Sequence, residues 1–530
     1  MINEAQSNAI FSDDKKILCL AGAGSGKTFT LLERIKRLTA LGVDPASILC
    51  LTFTNAAAFE MLNRFGDSTD CESCPEFRTF HSFCYNLITS DTAILKNLNY
   101  TSVPSVADES QIRRIEQEAM MQVGVKLSRN KLSGKIALTA TEKYEYDVLM
   151  KAQNRLMHKY NVITFDRLLS EICKLFIEDS PLIKKYKDKY RYIFADEFQD
   201  TDPLQWKFIQ SFSGSSLFVV GDALQALYSF RGADSTIIKA VASDPDWTVI
   251  RLTKNYRSTK QICNYANNFT KTYAADEYRI ELESDELGYD VNEMKVITPP
   301  PFAGKNKVSE MALQDILKHL GNSEYAGTSA ILTRTNSESE FVQNYLKAKG
   351  VSFVTNKKHV DVQNILKSCI DNGFFISWMS TFLNSAQYAS YIIHSTGSEY
   401  SFDQFVEEFG FIPEISKNLE AVKNLRRILD DSDLETIEVM LKSNPEDLKT
   451  GKSEVDELLT KLQNVVPEDC NLYVGTVHSV KGLEYDNVYV VGVDSPAFLL
   501  NSEDNKNVFY VAVTRAKSRL HVYVETTIKF

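Results

Sequence analysis

At 530 residues the chain is too long for one ordinary core, and its length alone suggests about three or four domains. A net charge of −11, from 70 acidic against 59 basic side chains, excludes a general basic coat while leaving room for a local nucleic-acid groove. No apolar run reaches the length of a membrane span and no signal-peptide pattern opens the chain, so the expectation is a cytoplasmic protein with no membrane partner.

The first element is an apolar run, Ile17-Leu18-Cys19-Leu20, which reads as a buried strand. It leads into Ala21-Gly22-Ala23-Gly24-Ser25-Gly26-Lys27-Thr28, after which Leu31, Leu32, Ile35 and Leu38 recur at helical spacing. A glycine-rich bend between strand and helix lets backbone N–H groups crowd around phosphate oxygens at a helix N-terminus. Lys27 is placed to reach the β/γ-phosphates of a nucleotide and the Thr28 hydroxyl to ligate Mg²⁺. Ala21 stands where the full pattern has glycine. A second buried strand, Ile48–Phe53, is followed by an Ala-rich helix at 55–63, and this alternation implies a parallel sheet. Cys71-Glu72-Ser73-Cys74, with His81 and Cys84 behind it, reads either as a polar surface loop or as a zinc site lacking a second ligand pair. The remaining cysteines, Cys19, Cys50 and Cys173 among them, lie in apolar runs and read as reduced core residues.

Between about 86 and 184 charged helical patterns take over. The clearest carries Phe165, Leu168, Leu169 and Ile172 on one face, with Thr164 as N-cap. Strands return at 192–195 and 217–220, then at 330–333 beyond the break Pro299-Pro300-Pro301. A second helix-rich stretch, 363–465, precedes strands at 472–476, 488–493 and 520–524. The expectation is an α/β protein with two parallel-sheet domains, each interrupted by a mainly helical insertion. The boundaries are 1–85 with 186–250, insertion 86–185, then 251–362 with 466–530, insertion 363–465.

Asp196-Glu197 directly follows a strand. An Asp so placed beside a phosphate loop holds Mg²⁺, and an adjacent Glu orients and deprotonates an attacking water. Gln225, after the next strand, is placed to meet the γ-phosphate or that water, while Tyr228, Phe230 and Arg231 suit base stacking backed by a phosphate contact.

Together these segments resemble the ordered motifs of the UvrD/Rep/PcrA family of superfamily 1 DNA helicases, over nearly the whole chain. The resemblance implies two RecA-like motor domains with ATP and Mg²⁺ between them. It places Gln6 at the adenine and gives Phe53, Thr54 and Asn55, then Phe80 and His81, as DNA contacts. In Asn255-Tyr256-Arg257-Ser258 it implies that Tyr256 stacks on adenine and Arg257 meets the γ-phosphate. In the run from Thr476 to Glu484 it gives His478 to DNA and Glu484 to the ribose. Tyr510–Ala516 supplies Arg515, a second arginine finger. Two guanidinium groups suit the charge that builds on the γ-phosphoryl oxygens in the transition state.

The resemblance further implies 3′→5′ movement on single-stranded and 3′-tailed DNA. Phe230 replaces the family's usual Trp, and the second insertion is shorter than usual. With no partner-binding tail or fused nuclease expected, the compact size also resembles GajB-like helicases that work beside a separate nuclease in phage defence. The alternative reading is therefore a nucleotide- or DNA-gated regulatory subunit of a nuclease complex with little unwinding of its own.

Overall fold

A computed structural model describes residues 2–66, 74–107, 109–125, 127, 139–228, 232–296, 308–355, 470–493, 495 and 498–524. The chain divides into one compact unit of residues 1–80, 183–359 and 466–530, and another of 81–182 and 360–465. Phe230, Arg231, Cys71 and the whole expected second insertion, 363–465, lie outside the described residues.

The first unit contains two fully parallel sheets. One has the order β3-β2-β6-β7-β1-β8, from β1 (Lys16–Ala21), β2 (Ile48–Thr52), β3 (Glu76–Thr79), β6 (Tyr192–Ala195), β7 (Ser216–Gly221) and β8 (Thr248–Leu252). Its central strands are buried, as expected of a sheet covered on both faces. The helix Lys27–Ala40 buries Leu31, Leu32, Ile35 and Leu38 in the same core as Ile17, Cys19 and Cys50. The other sheet runs β11-β10-β12-β13-β9, from β9 (Asn292–Lys295), β10 (Ser329–Thr333), β11 (Leu472–Thr476), β12 (Tyr485–Val493) and β13 (Ala516–Val524).

β12 and β13 start three and four residues before the expected Val488 and Leu520. Apart from Tyr485 and the buried Ala516, the early residues are polar, and specific hydrogen bonds rather than apolar burial hold Asp486 and Asn487. Asn487 is buried and its Nδ2 donates to the Tyr325 carbonyl at 3.1 Å and to Ser329 Oγ at 3.2 Å. The edge strands β3 and β9, one of them Glu-Phe-Arg-Thr, carry no apolar run and were invisible to periodicity.

In the second unit, two short strands, β4 (Ser105–Val106) and β5 (Val162–Ile163), pair in parallel, and the helix Phe165–Ile177 forms where expected, with Thr164 Oγ1 accepting from the Arg167 N–H. Its buried face is Leu168, Leu169, Ile172, Cys173 and Phe176. Phe165 departs from the expectation: at the first turn it sits off that stripe, is 45 % exposed, and meets the His81 ring edge-on at 5.5 Å. Free Cys19, Cys50 and Cys173 are buried, and Cys74 is exposed. Among the described residues no three metal-ligating side chains converge to support the zinc reading, and no helix is long and apolar enough to cross a membrane.

The second sheet carries a titratable cluster with a measurable consequence. His521 on β13 lies 4.4 Å from the His319 ring and 5.1 Å from Tyr489, with Asn292 Nδ2 at 3.1 Å from its Nδ1. Burial, then the neighbouring His319 and Arg519 against the opposing Asp315, pushes its pKa down to about 4. Between pH 4 and 6.5 the unfolded chain therefore binds more protons than the folded one, and this stability contribution is lost as pH falls through that window. Acidification from pH 7.5 to 5 is expected to cost on the order of 2 kcal/mol through this group. His521→Phe should flatten the corresponding part of the thermal midpoint's pH profile relative to wild type.

Candidate active site

The phosphate loop is shaped by two left-handed glycines. Gly24 has φ +68° and Gly26 φ +81°. At Gly24 space also demands glycine, because a Cβ would sit 2.8 Å from Arg257 Cβ and 2.9 Å from Asn255 Nδ2. Asn255 Nδ2 donates to the Ala23 carbonyl at 2.7 Å, and the Tyr256 N–H to the Gly24 carbonyl at 2.9 Å. The Asn255–Ser258 segment leaves β8 of the first sheet and is stitched onto the second: Ser258 Oγ donates to the Ala516 carbonyl at 2.6 Å, and Arg257 Nη1 to the Thr514 carbonyl at 3.1 Å. Pairings that span 232 to 258 residues thus gather segments of both sheets around one loop.

Gln6 is buried at the edge of this loop, with its Nε2 donating to the Ser25 carbonyl at 3.1 Å. It belongs to a capping box with Asn3, whose Nδ2 reaches the exposed Tyr256 hydroxyl at 2.9 Å. Lys27 is half-buried, with its Nζ donating to the Ala21 carbonyl at 3.5 Å. Burial lowers its pKa; Glu197 and Asp222 oppose the shift, and Arg257 and Arg515 add to it. Three cations gathered over a loop of free-turning glycines make a site suited to a polyanion.

Asp196 and Glu197 follow β6. Thr28 Oγ1 lies 3.4 Å from Asp196 Oδ2, while Asp196 Oδ1 is buried with no hydrogen-bond partner among the described residues. Burial and then the adjacent Glu197 push the Asp196 carboxyl up to about 7. An orphaned buried carboxylate oxygen beside a threonine hydroxyl fits an oxygen-seeking divalent cation such as Mg²⁺. Glu197 adopts φ +50° and accepts from Gln199 Nε2 at 2.5 Å. Burial would raise its pKa, but Lys481 and Lys27, with Gln199 and Arg515, outweigh that and hold it at about 2.

Arg515 is wholly buried, and burial, then Arg257, lowers its pKa to about 9. Its Nε donates to the Val511 carbonyl at 3.1 Å, Nη1 to the Leu483 carbonyl at 3.2 Å, and Nη2 to Gln225 Oε1 at 3.4 Å. That last bond spans from the second sheet to the loop after β7 in the first. Gln225 Nε2 in turn donates to Asp222 Oδ2 at 2.8 Å, which also accepts from the Tyr510 hydroxyl at 3.3 Å. Glu484 accepts from Arg257 Nε at 2.6 Å.

Lys481 was not singled out by the sequence. Its ammonium pairs with Asp200, lies 3.6 Å from Glu197 Oε2, donates to the Gln225 carbonyl at 3.3 Å, and sits 5.0 Å from the centre of the Tyr228 ring. Tyr228 stacks on Phe53 at 5.0 Å with 14° between planes. One buried cation therefore joins the carboxylate end of the site to an aromatic pair. A cleft of about 440 Å³ reaches Leu227, the residue before Tyr228, and is lined also by Arg334, Asn336, Thr476, His478 and Asp504.

The other expected DNA contacts divide. Thr54 is exposed, with Oγ1 accepting from the Ala57 N–H, and Asn55 Oδ1 accepts from Thr79 Oγ1 at 3.3 Å. Phe80 is buried, with its ring edge-on to Phe208 at 6.0 Å. His81 lies in the second unit against Phe165.

Family models match this chain along almost its entire length: the UvrD/REP helicase N-terminal domain over residues 2–246, and the UvrD-like helicase C-terminal domain over 250–366 and 377–527. The chain belongs to the UvrD/REP helicase family. Among relatives, this helicase is 26 % identical to a probable DNA helicase II homolog of Mycoplasma capricolum, covering 98 % of this chain and 84 % of the relative. It is 26 % identical to ATP-dependent DNA helicase PcrA of Staphylococcus aureus, covering 98 % and 83 %, and 25 % identical to PcrA of Staphylococcus epidermidis, covering 99 % and 83 %.

Proposed function

We propose that this helicase is an ATP-driven translocase on single-stranded DNA, moving 3′→5′ and hydrolysing ATP in the cleft between its two parallel sheets. The observation that carries the reading is Arg515 of the second sheet reaching Gln225 of the first, in a site that also gathers Lys27, Glu197 and Arg257. Lys27 and the loop N–H groups bind the triphosphate, Gln6 and Tyr256 hold the base, and Glu484 serves the ribose. Thr28 and Asp196 are the residues that would hold Mg²⁺, which neutralises phosphate charge when bound. Glu197 positions the attacking water and accepts its proton. Arg257 and Arg515 stabilise the charge that develops on the transferred group, and can do so only with the two sheets drawn together.

Phe53, Tyr228 and the cleft beside His478 provide a stacking track for single-stranded bases. A base packed there competes with Lys481 for the Tyr228 face. Displacing Lys481 from Glu197 frees the carboxylate from the cation that holds its basicity down, which supports a turnover rate that rises with DNA. Polarity and the use of 3′-tailed substrates rest on the family likeness.

Strand displacement by the chain alone, on 3′-tailed, 5′-tailed and blunt duplexes, tests the reading. Unwinding of the 3′-tailed duplex only is expected. ATPase activity without displacement would favour the alternative of a gated regulatory subunit acting with a separate nuclease.

A further inference from the structure

The carboxylate of Glu484 is divided between two cations. Its Oε2 accepts from Arg257 Nε at 2.6 Å, and its Oε1 lies 2.9 Å from Lys517 Nζ at the start of β13. The frame around them is shared: the Thr259 N–H donates to the Lys517 carbonyl at 3.1 Å, two residues past Arg257, and Ser258 Oγ to the preceding Ala516 carbonyl. Burial would raise the Glu484 carboxyl, but bonds from Lys517 and Arg257 hold it below the usual range. Arg257 is the more enclosed cation, with 16 % of its side chain exposed against 36 % for Lys517.

The reading above requires Arg257 to serve phosphate oxygens. A carboxylate gripping it by a charge-assisted bond resists that exchange, since without Lys517 the departing guanidinium would leave the partly exposed Glu484 with neither of its two cations. We propose that Lys517 is a positioning residue which keeps Glu484 paired when Arg257 leaves it, so that the arginine can pass between carboxylate and triphosphate. The inference rests on the proposed ATPase and adds a residue that touches neither nucleotide nor DNA. Lys517 lowers the barrier to that exchange without itself binding the nucleotide, so its effect falls on kcat and depends on the charge of Glu484.

The test is steady-state ATP hydrolysis at saturating single-stranded DNA. Lys517→Met is expected to lower kcat about fivefold, the upper range for a partly exposed ion pair, with the KM for ATP within about twofold. Lys517→Arg, which keeps charge and reach, should restore the rate. In a Glu484→Gln background the Lys517→Met change should alter kcat by less than about 1.5-fold. An unchanged rate in Lys517→Met, an equal loss in both backgrounds, or a rise in KM that persists with Glu484→Gln would overturn the proposal. The first result would make Lys517 a bystander, the second a purely structural residue, the third a direct nucleotide contact. A wild-type chain with no ATPase at all would instead overturn the functional reading and this inference with it.

Discussion

Glu197→Gln is expected to abolish turnover while leaving both ligands bound. The substitution keeps the side chain's shape and its place beside Gln199, but removes the charge that, in the proposed reaction, orients water and accepts a proton. Loss of a positioned general base lowers rates by about 10²–10⁴-fold. The neighbours proposed to bind phosphate, Lys27 and the glycine loop, are untouched, and Lys481 keeps its pairing with Asp200. Affinities for ATP and for single-stranded DNA should therefore stay within about threefold of wild type. Single-turnover hydrolysis, with equilibrium binding measured in parallel, separates the two effects. Turnover within tenfold of wild type would remove Glu197 from the chemistry.

Arg515 is the second large effect. An arginine finger contributes about 10³–10⁵ in kcat, and a lysine in its place keeps the charge but loses the planar fork. Here the fork is occupied by four acceptors at once: the Val511 and Leu483 carbonyls, Gln225 Oε1 and Thr514 Oγ1. Arg515→Ala would orphan the two buried carbonyls and open a cavity, so a loss of activity alone would not distinguish chemistry from misfolding. Arg515→Lys does so, because it retains volume and charge. The expected outcome is a fall in kcat of at least about 10²-fold with the KM for ATP changed only a few-fold, at a nearly unchanged melting temperature. A matching fall in melting temperature would assign Arg515 to the fold rather than the reaction.

How much of this was legible in advance follows from chemistry that is local in the chain. The loop 21–28 announces itself because strand, glycines, lysine and helix are consecutive, and Asp196-Glu197 because both sit directly at a strand's end. Lys481 was missed for the opposite reason: it matters through Asp200 and Glu197, more than 280 residues earlier, and through the Tyr228 ring. No periodicity records such a meeting. The resemblance gives Phe80 as a DNA contact beside His81, and an aromatic residue after an edge strand can turn either way; here it packs against Phe208. Edge strands β3 and β9 escaped because half-exposed strands with charged residues lack the apolar run that marks buried ones. Asn487 shows the same limit inside the sheet, where hydrogen bonds to Tyr325 and Ser329 let a polar residue occupy a buried strand position.

The central claim is that a site built from both sheets reports on the aromatic track through Lys481, so that hydrolysis and DNA occupancy are coupled. The most direct measurement is the wild-type ATP hydrolysis rate, at saturating ATP and fixed salt, as single-stranded DNA is titrated in. A saturable rise of at least about tenfold is expected, attenuated in Tyr228→Ala. A rate that is already maximal without DNA and stays flat across the titration would contradict it.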